Sequence, residues 1–251
     1  MNLIEMIGIQ LTTDPSGLVE ARRKEAGPDL WIDLELNTAK ELVCLAHLGF
    51  VGATYAAGVA TDAVKDSLSY FESDKKMERG WFLPFWMSVF LSLAVDDLKS
   101  FGRLCSYIDE RLKPDDCSPL IDDGVQQVYK LLAIWYCNRD MTRVSRIDRG
   151  LSRVNSFPVK NLYAMACALR DEDQASFAAS ATVAIKAHLR RKPPKHNKDF
   201  LENWLPMHIM SVLLIGERCE LIGSHRTELI DAFIVDLSSV ERGRPRDGAE
   251  T

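Results

Sequence analysis

The 251-residue chain has no C-x-x-C pair, no H-E-x-x-H motif and no Cys/His group at zinc-finger spacing. A structural zinc site and a metalloprotease helix are therefore not expected. Its six cysteines, Cys44, Cys105, Cys117, Cys137, Cys167 and Cys219, are widely spaced and mostly set in apolar runs such as Val43-Cys44-Leu45. Such cysteines behave as reduced, small hydrophobes rather than as a disulfide framework. Glycine-rich phosphate loops are missing too: Gly49-Phe50-Val51-Gly52 and Ile215-Gly216-Glu217 lie inside helical patterns, without the strand-loop-helix context a nucleotide site needs. No cofactor is expected.

Long hydrophobic runs are also scarce. The most apolar window, residues 81–95, falls short of the roughly 20 residues of a membrane-spanning helix and carries Pro84 near its start, so it reads as a core helix. Glu5 interrupts the apolar opening and polar residues follow from Thr12, which argues against a secretion signal. Charge of one sign is not in excess: the net charge is -5 with a pI near 5.6, so no pull towards nucleic acid or anionic lipid is expected. The expectation is a cytoplasmic protein with no membrane or nucleic-acid partner.

What is present is an ordinary globular balance, 47% hydrophobic and 27% charged, in a chain long enough to bury a large core. Residues 1–37 contain the turn signals Asp14-Pro15-Ser16-Gly17 and Gly27-Pro28-Asp29 and read as a loosely structured arm. From Thr38 the apolar residues Ala39, Leu42, Val43, Ala46, Phe50, Ala53, Ala57 and Ala60 recur at helical spacing. Thr38 with Glu41 forms a capping-box pattern, and a break or kink is expected near Gly58.

Three segments then share one layout, an apolar helix, an acidic residue and a more amphipathic helix. They are residues 82–104, 125–147 and 158–188, turning at Asp96-Asp97, Asp140 and Asp171-Glu172-Asp173. An acid just before a helix satisfies its free N–H groups and suits its dipole, so each segment reads as a helical hairpin. The turns are 43 and 33 residues apart, which excludes a strict repeat. Helices over 197–221, split by Pro206, and over 227–237 complete an expected single domain of 38–240, followed by a disordered basic tail at 241–251. The expected fold class is all-α: stacked antiparallel helical hairpins in an irregular tetratricopeptide- or HEAT-like array, or a helical bundle.

Acidic pairs at Asp115, Asp116, Asp122 and Asp123, with Pro114 and Pro119 around them, flank turns. Helix capping on a wetted surface accounts for most such pairs, and the same edge is the first place to seek a basic partner. The basic stretch Lys186, Arg190, Arg191, Lys192, Lys195 and Lys198 is interrupted by Pro193-Pro194 and lacks interleaved aromatics, so it reads as a solvated loop. His47, His188, His196, His208 and His225 are read as structural, and the aromatics Trp81, Phe82, Phe85, Trp86 and Phe90 as core. No grouping supports catalysis.

Four segments resemble the bacterial immunity protein 49 family of polymorphic toxin systems. They are residues 85–97 from Phe85-Trp86-Met87 to Asp96-Asp97, residues 166–173 from Ala166-Cys167-Ala168 to Asp173, residues 177–188, and the late helix around 204–223. The resemblance spans about residues 38–237 and implies a helical cytoplasmic antidote that binds and blocks a co-produced toxin. No catalytic motif carries over. A helical scaffold that recruits peptides is the alternative, and an enzyme ranks behind both.

Overall fold

The computed structural model of the chain describes residues 28–73, 82–111, 128, 131, 132, 151, 156–190 and 206–237. Among them are eight α-helices and no strand, so the chain is all-α as its periodicity predicts. The helices are α1 (Pro28–His47), α2 (Ala53–Ser73), α3 (Phe82–Ala94), α4 (Leu98–Arg111), α5 (Phe157–Arg170), α6 (Gln174–Leu189), α7 (Met207–Arg218) and α8 (Glu228–Asp231). The chain forms two compact units, residues 1–100 with 235–251, and residues 101–234. Residues 1–27 and the tail 241–251 lie outside the described residues.

In the first unit α1, α2 and α3 pack pairwise against one another. Helix α1 begins ten residues before the expected cap at Thr38. Pro28 is its first residue, where a missing N–H is no loss and the fixed φ suits a helix. Ile32 and Leu36 extend the buried stripe of Ala39, Leu42 and Val43 back to it. Thr38 therefore sits inside the helix, and its hydroxyl donates back to the Leu34 carbonyl at 2.7 Å. Truncating a side chain as enclosed as Leu36 to alanine would remove about 2–5 kcal/mol.

The break expected near Gly58 falls instead at Gly49, the residue with φ of 81°. There the Gly49 N–H donates to Ala46 at 3.0 Å and the Phe50 N–H to Leu45 at 2.9 Å, closing α1 with a left-handed cap. Gly58 is an ordinary residue within α2. Helix α3 buries Phe85, Trp86 and Phe90, as the core reading of these aromatics predicts, with Phe71 and Phe85 5.8 Å apart and Phe85 and Trp86 edge to face at 5.0 Å. Its buried Ser88 donates to Ser67 of α2 at 2.8 Å, and Ser67 donates in turn to Val64. No helix of the described residues is long and apolar enough to cross a membrane.

In the second unit α5 and α6 form a hairpin, and α7, a 3-10 turn at Gly223–His225 and α8 pack along it. The turn of this hairpin is built like the turn between α3 and α4, 76 residues earlier by numbering from Asp97 to Asp173. Asp96 and Glu172 stand in left-handed conformation with φ of 61° and 55°. The next residue, Asp97 or Asp173, caps the following helix by accepting the Ser100 or Ser176 N–H at 3.0 Å. A buried phenylalanine, Phe101 or Phe177, follows each serine.

Helix α7 starts after Pro206, as expected of that proline. The final expected helix is shorter than its apolar pattern suggests. Thr227 caps α8 by accepting the Ile230 N–H at 3.3 Å, but the helix ends at Asp231. Phe233, Ile234, Val235 and Leu237 are all buried, which no single helix face can achieve, and the Leu237 N–H donates to the Ala94 carbonyl at 2.9 Å.

Candidate partner-binding surface

Asp115, Asp116, Asp122 and Asp123, the residues first suspected of meeting a partner, lie outside the described residues. A different acidic surface is assembled in the second unit from two segments far apart in sequence. One is the hairpin turn Asp171, Glu172 and Asp173, all exposed. The other runs from the end of α7 to α8 and carries Glu217, Glu220, Glu228 and Asp231.

Specific contacts hold the two segments together. The Gln174 side chain donates to the Glu220 carbonyl at 3.1 Å, across 46 positions of sequence. A Cβ on Gly223 would lie 3.7 Å from the same amide, so the 3-10 turn sits against α6 at van der Waals distance. Arg226 then ties the second segment together, pairing with Glu217 and, at 2.7 Å, with Asp231. These pairs are partly exposed and contribute little stability, though they fix the direction of the carboxylates.

Two of the acids occupy strained positions. Glu172 closes α5 and Glu220 closes α7 with the same left-handed cap that Gly49 provides for α1, at φ of 55° and 58°. The Asp173 and Leu221 N–H groups complete the two caps by donating to Ala168 at 3.0 Å and Gly216 at 2.9 Å. Asp173 is held ionised below the usual carboxylate range, first by the Ser176 hydroxyl and backbone N–H and, in smaller part, by the charge of His225. Asp173 therefore keeps its negative charge further into acid than a free aspartate. Arg170, beside Asp171 at 2.8 Å, and Arg226 offset part of the rim's charge.

The first unit offers two other features. Around the α1–α2 turn Leu48, Phe50 and Tyr55 are each more than 40% exposed, a loose apolar apron. Along α1, Asp33, Asn37, Lys40, Cys44 and His47 share one side at helical spacing, with Lys40, Cys44 and His47 buried and Lys40 donating to Asn37 at 3.0 Å. Burial pushes the Asp33 carboxyl up, and its Oδ1 is enclosed without a hydrogen bond. Among the described residues no three His, Cys, Asp or Glu side chains converge as a metal-holding group. Of the basic stretch, Lys186 and Arg190 are described and exposed, and residues 191–200 lie outside the described residues.

Sequence patterns gave residues 171–173 as a capping turn and residues 217–231 as parts of two helices. Nothing in the sequence signals that residues 171–173 and 217–231 meet. Comparison of the chain with protein-family models, with curated proteins and with solved structures finds no match. The fold class and the geometry of the acidic rim are thus what functional reasoning has to work with.

Proposed function

We propose that the chain is a non-catalytic, cytoplasmic protein-binding domain whose acidic rim engages a basic partner, and that this partner is a toxin it neutralises. The observation that carries the binding reading is the placement of Glu172 and Glu220 on one rim at positions where glycine is favoured. Local backbone preference is set aside there in favour of charge, a pattern typical of functional positions. A basic partner would be steered to such a rim, and the association would weaken with salt. The toxin is suggested by the immunity protein 49 resemblance.

Affinity capture with the tagged full chain from its source cells tests the binding reading. The wild type should retain a basic protein that raised salt releases, while E220K combined with E228K, both exposed positions, should lose it. Equal capture by the double variant would overturn the rim as the contact surface. Expression of the captured protein alone should arrest growth, and co-expression of this chain should restore it. A captured protein that is harmless alone would remove the antidote role and leave the helical scaffold, a reading that the exposed Phe50 and Tyr55 favour.

A further inference from the structure

Helix α6 is unusual for a helix with one face open to solvent. Between Asp173 and Lys186 its sequence, Gln-Ala-Ser-Phe-Ala-Ala-Ser-Ala-Thr-Val-Ala-Ile, contains no charged residue. Phe177, Ala178, Ala181, Ala184 and Ile185 face the second unit's core. The opposite face presents Ala175, Ala179 and Val183, three residues spaced by four and all exposed, with Val183 at 50%. Leu189, at 52%, continues the apolar surface at the end of the helix. Solvent-facing sides of helices ordinarily carry charge, whereas before Lys186 this one has only Gln174, Ser176, Ser180 and Thr182 as polar groups among its alanines and Val183.

The two ends of this face have opposite charge. Glu172 stands at its start, and Lys186 and Arg190 at its finish; all three are exposed and bear no ion pair among the described residues. The helix dipole, positive at the start and negative at the finish, opposes this contrast only weakly, so the side chains dominate. An antiparallel copy of the same helix matches this pattern at both ends, because each acidic start meets a basic finish.

We infer that α6 is a self-association face, on which two copies of this chain pair through antiparallel α6 helices about a two-fold axis near Ala181. In that register Val183 of each copy packs on the other's Ala179, and Glu172 of each meets the other's Arg190. The small residues let the helix axes approach closely, at the 8–10 Å of ordinary helix packing. The interface is isologous, so every contact occurs twice. A single helix pair lies at the small end of stable interfaces, and the dimer is therefore a weak one, forming in roughly the micromolar range.

Sedimentation velocity of the full chain over a concentration series, without any partner, tests this. The 28.3 kDa chain should move towards twice its mass as concentration rises, and V183E should stay monomeric because each carboxylate would be buried unpaired against the other copy's Ala179. E172K alone and R190E alone should each weaken association by about tenfold or more, since like charges then face each other twice. An equimolar mixture of these two variants should dimerise again, because both cross-pairs become complementary. Melting that stays cooperative, lowered by no more than the lost dipole interaction in E172K and R190E, confirms that the exposed substitutions leave the fold intact. A wild type monomeric up to about 0.5 mM, a dimer indifferent to V183E, or a mixture no better than its components would each overturn the inference. These outcomes are separate from those of the capture experiment, which reads E220K and E228K.

Discussion

Gly216→Ala should destabilise the second unit although it replaces glycine by the best helix former. Gly216 is buried in α7, and a Cβ there would press on the ring of Phe177, 2.5 Å from Cε1 and 3.2 Å from Cε2. Ordinary carbon contacts need more than 3.4 Å, so the ring must retreat by about 1 Å in a core where Phe177 has no exposed surface. Overpacking of this kind costs roughly 1–3 kcal/mol or more, against a gain of about 1 kcal/mol in helix propensity. The net loss is about 1–2 kcal/mol, or roughly 3–8 °C in Tm for a chain of this size. Gly58→Ala is the control: nothing lies within 4 Å of its Cβ, so the same substitution should stabilise by about 0.5–1 kcal/mol. Differential scanning calorimetry reads both, and F177L should turn G216A from harmful to neutral or better, a coupling of about 1–3 kcal/mol. A G216A protein as stable as wild type, or an additive double variant, would refute the argument.

Asp33 has its carboxyl pushed above the ordinary 3.8 by burial, so the folded state holds that proton more tightly than the unfolded state. Ionisation then weakens the fold: D33N should match wild type below the unfolded pKa and become the more stable of the two as pH rises through the folded one, read by melting across pH. D97A should cost about 1 kcal/mol by urea titration through loss of the α4 cap, with D97N retaining most of it. Asp173 is held below 3.8, so its contribution is present above that pH and lost as pH falls through the lower folded value; D173N should flatten this acid limb in a melting series. Glu220→Gly should raise stability by about 1 kcal/mol, since φ of 58° suits glycine.

The α5–α6 hairpin and the capped turn between α3 and α4 were legible because everything that makes them is local: an apolar run, an acid in the turn, an aspartate cap three residues before a serine. The start of α1 was not. Thr38-x-x-Glu41 copies a capping box, and only the packing of Ile32 and Leu36 reveals that the helix has already begun. The choice of Gly49 over Gly58 as the break was equally hidden, since either glycine could adopt the left-handed cap and the fold uses one. Gly216 reads in the sequence only as a glycine inside a helical pattern, whereas its missing side chain is the space Phe177 occupies. The acidic rim depends on the Gln174 to Glu220 bond, a contact that no local pattern encodes.

Among the described residues four helices end with a left-handed residue, and one of these four is glycine. Asp96 tolerates this conformation comparatively well, because a short polar side chain can bond its own backbone. Glutamate lacks that compensation, so Glu172 and Glu220 each forgo about 1 kcal/mol that glycine would provide. Glu172 recovers part of this from the positive end of α6, which begins two residues later. Glu220 recovers nothing comparable: its carboxylate sits beyond the negative end of α7 and is followed by a 3-10 turn of three residues. Position and charge are both unfavourable there for stability. If charge is what Glu220 supplies, E220Q should relieve the dipole penalty and E220G both penalties, so stability should rise in the order wild type, E220Q, E220G while partner capture falls in both variants. A capture signal that follows stability upwards instead would mean that Glu220 serves the turn alone and that the acidic rim has no outside target.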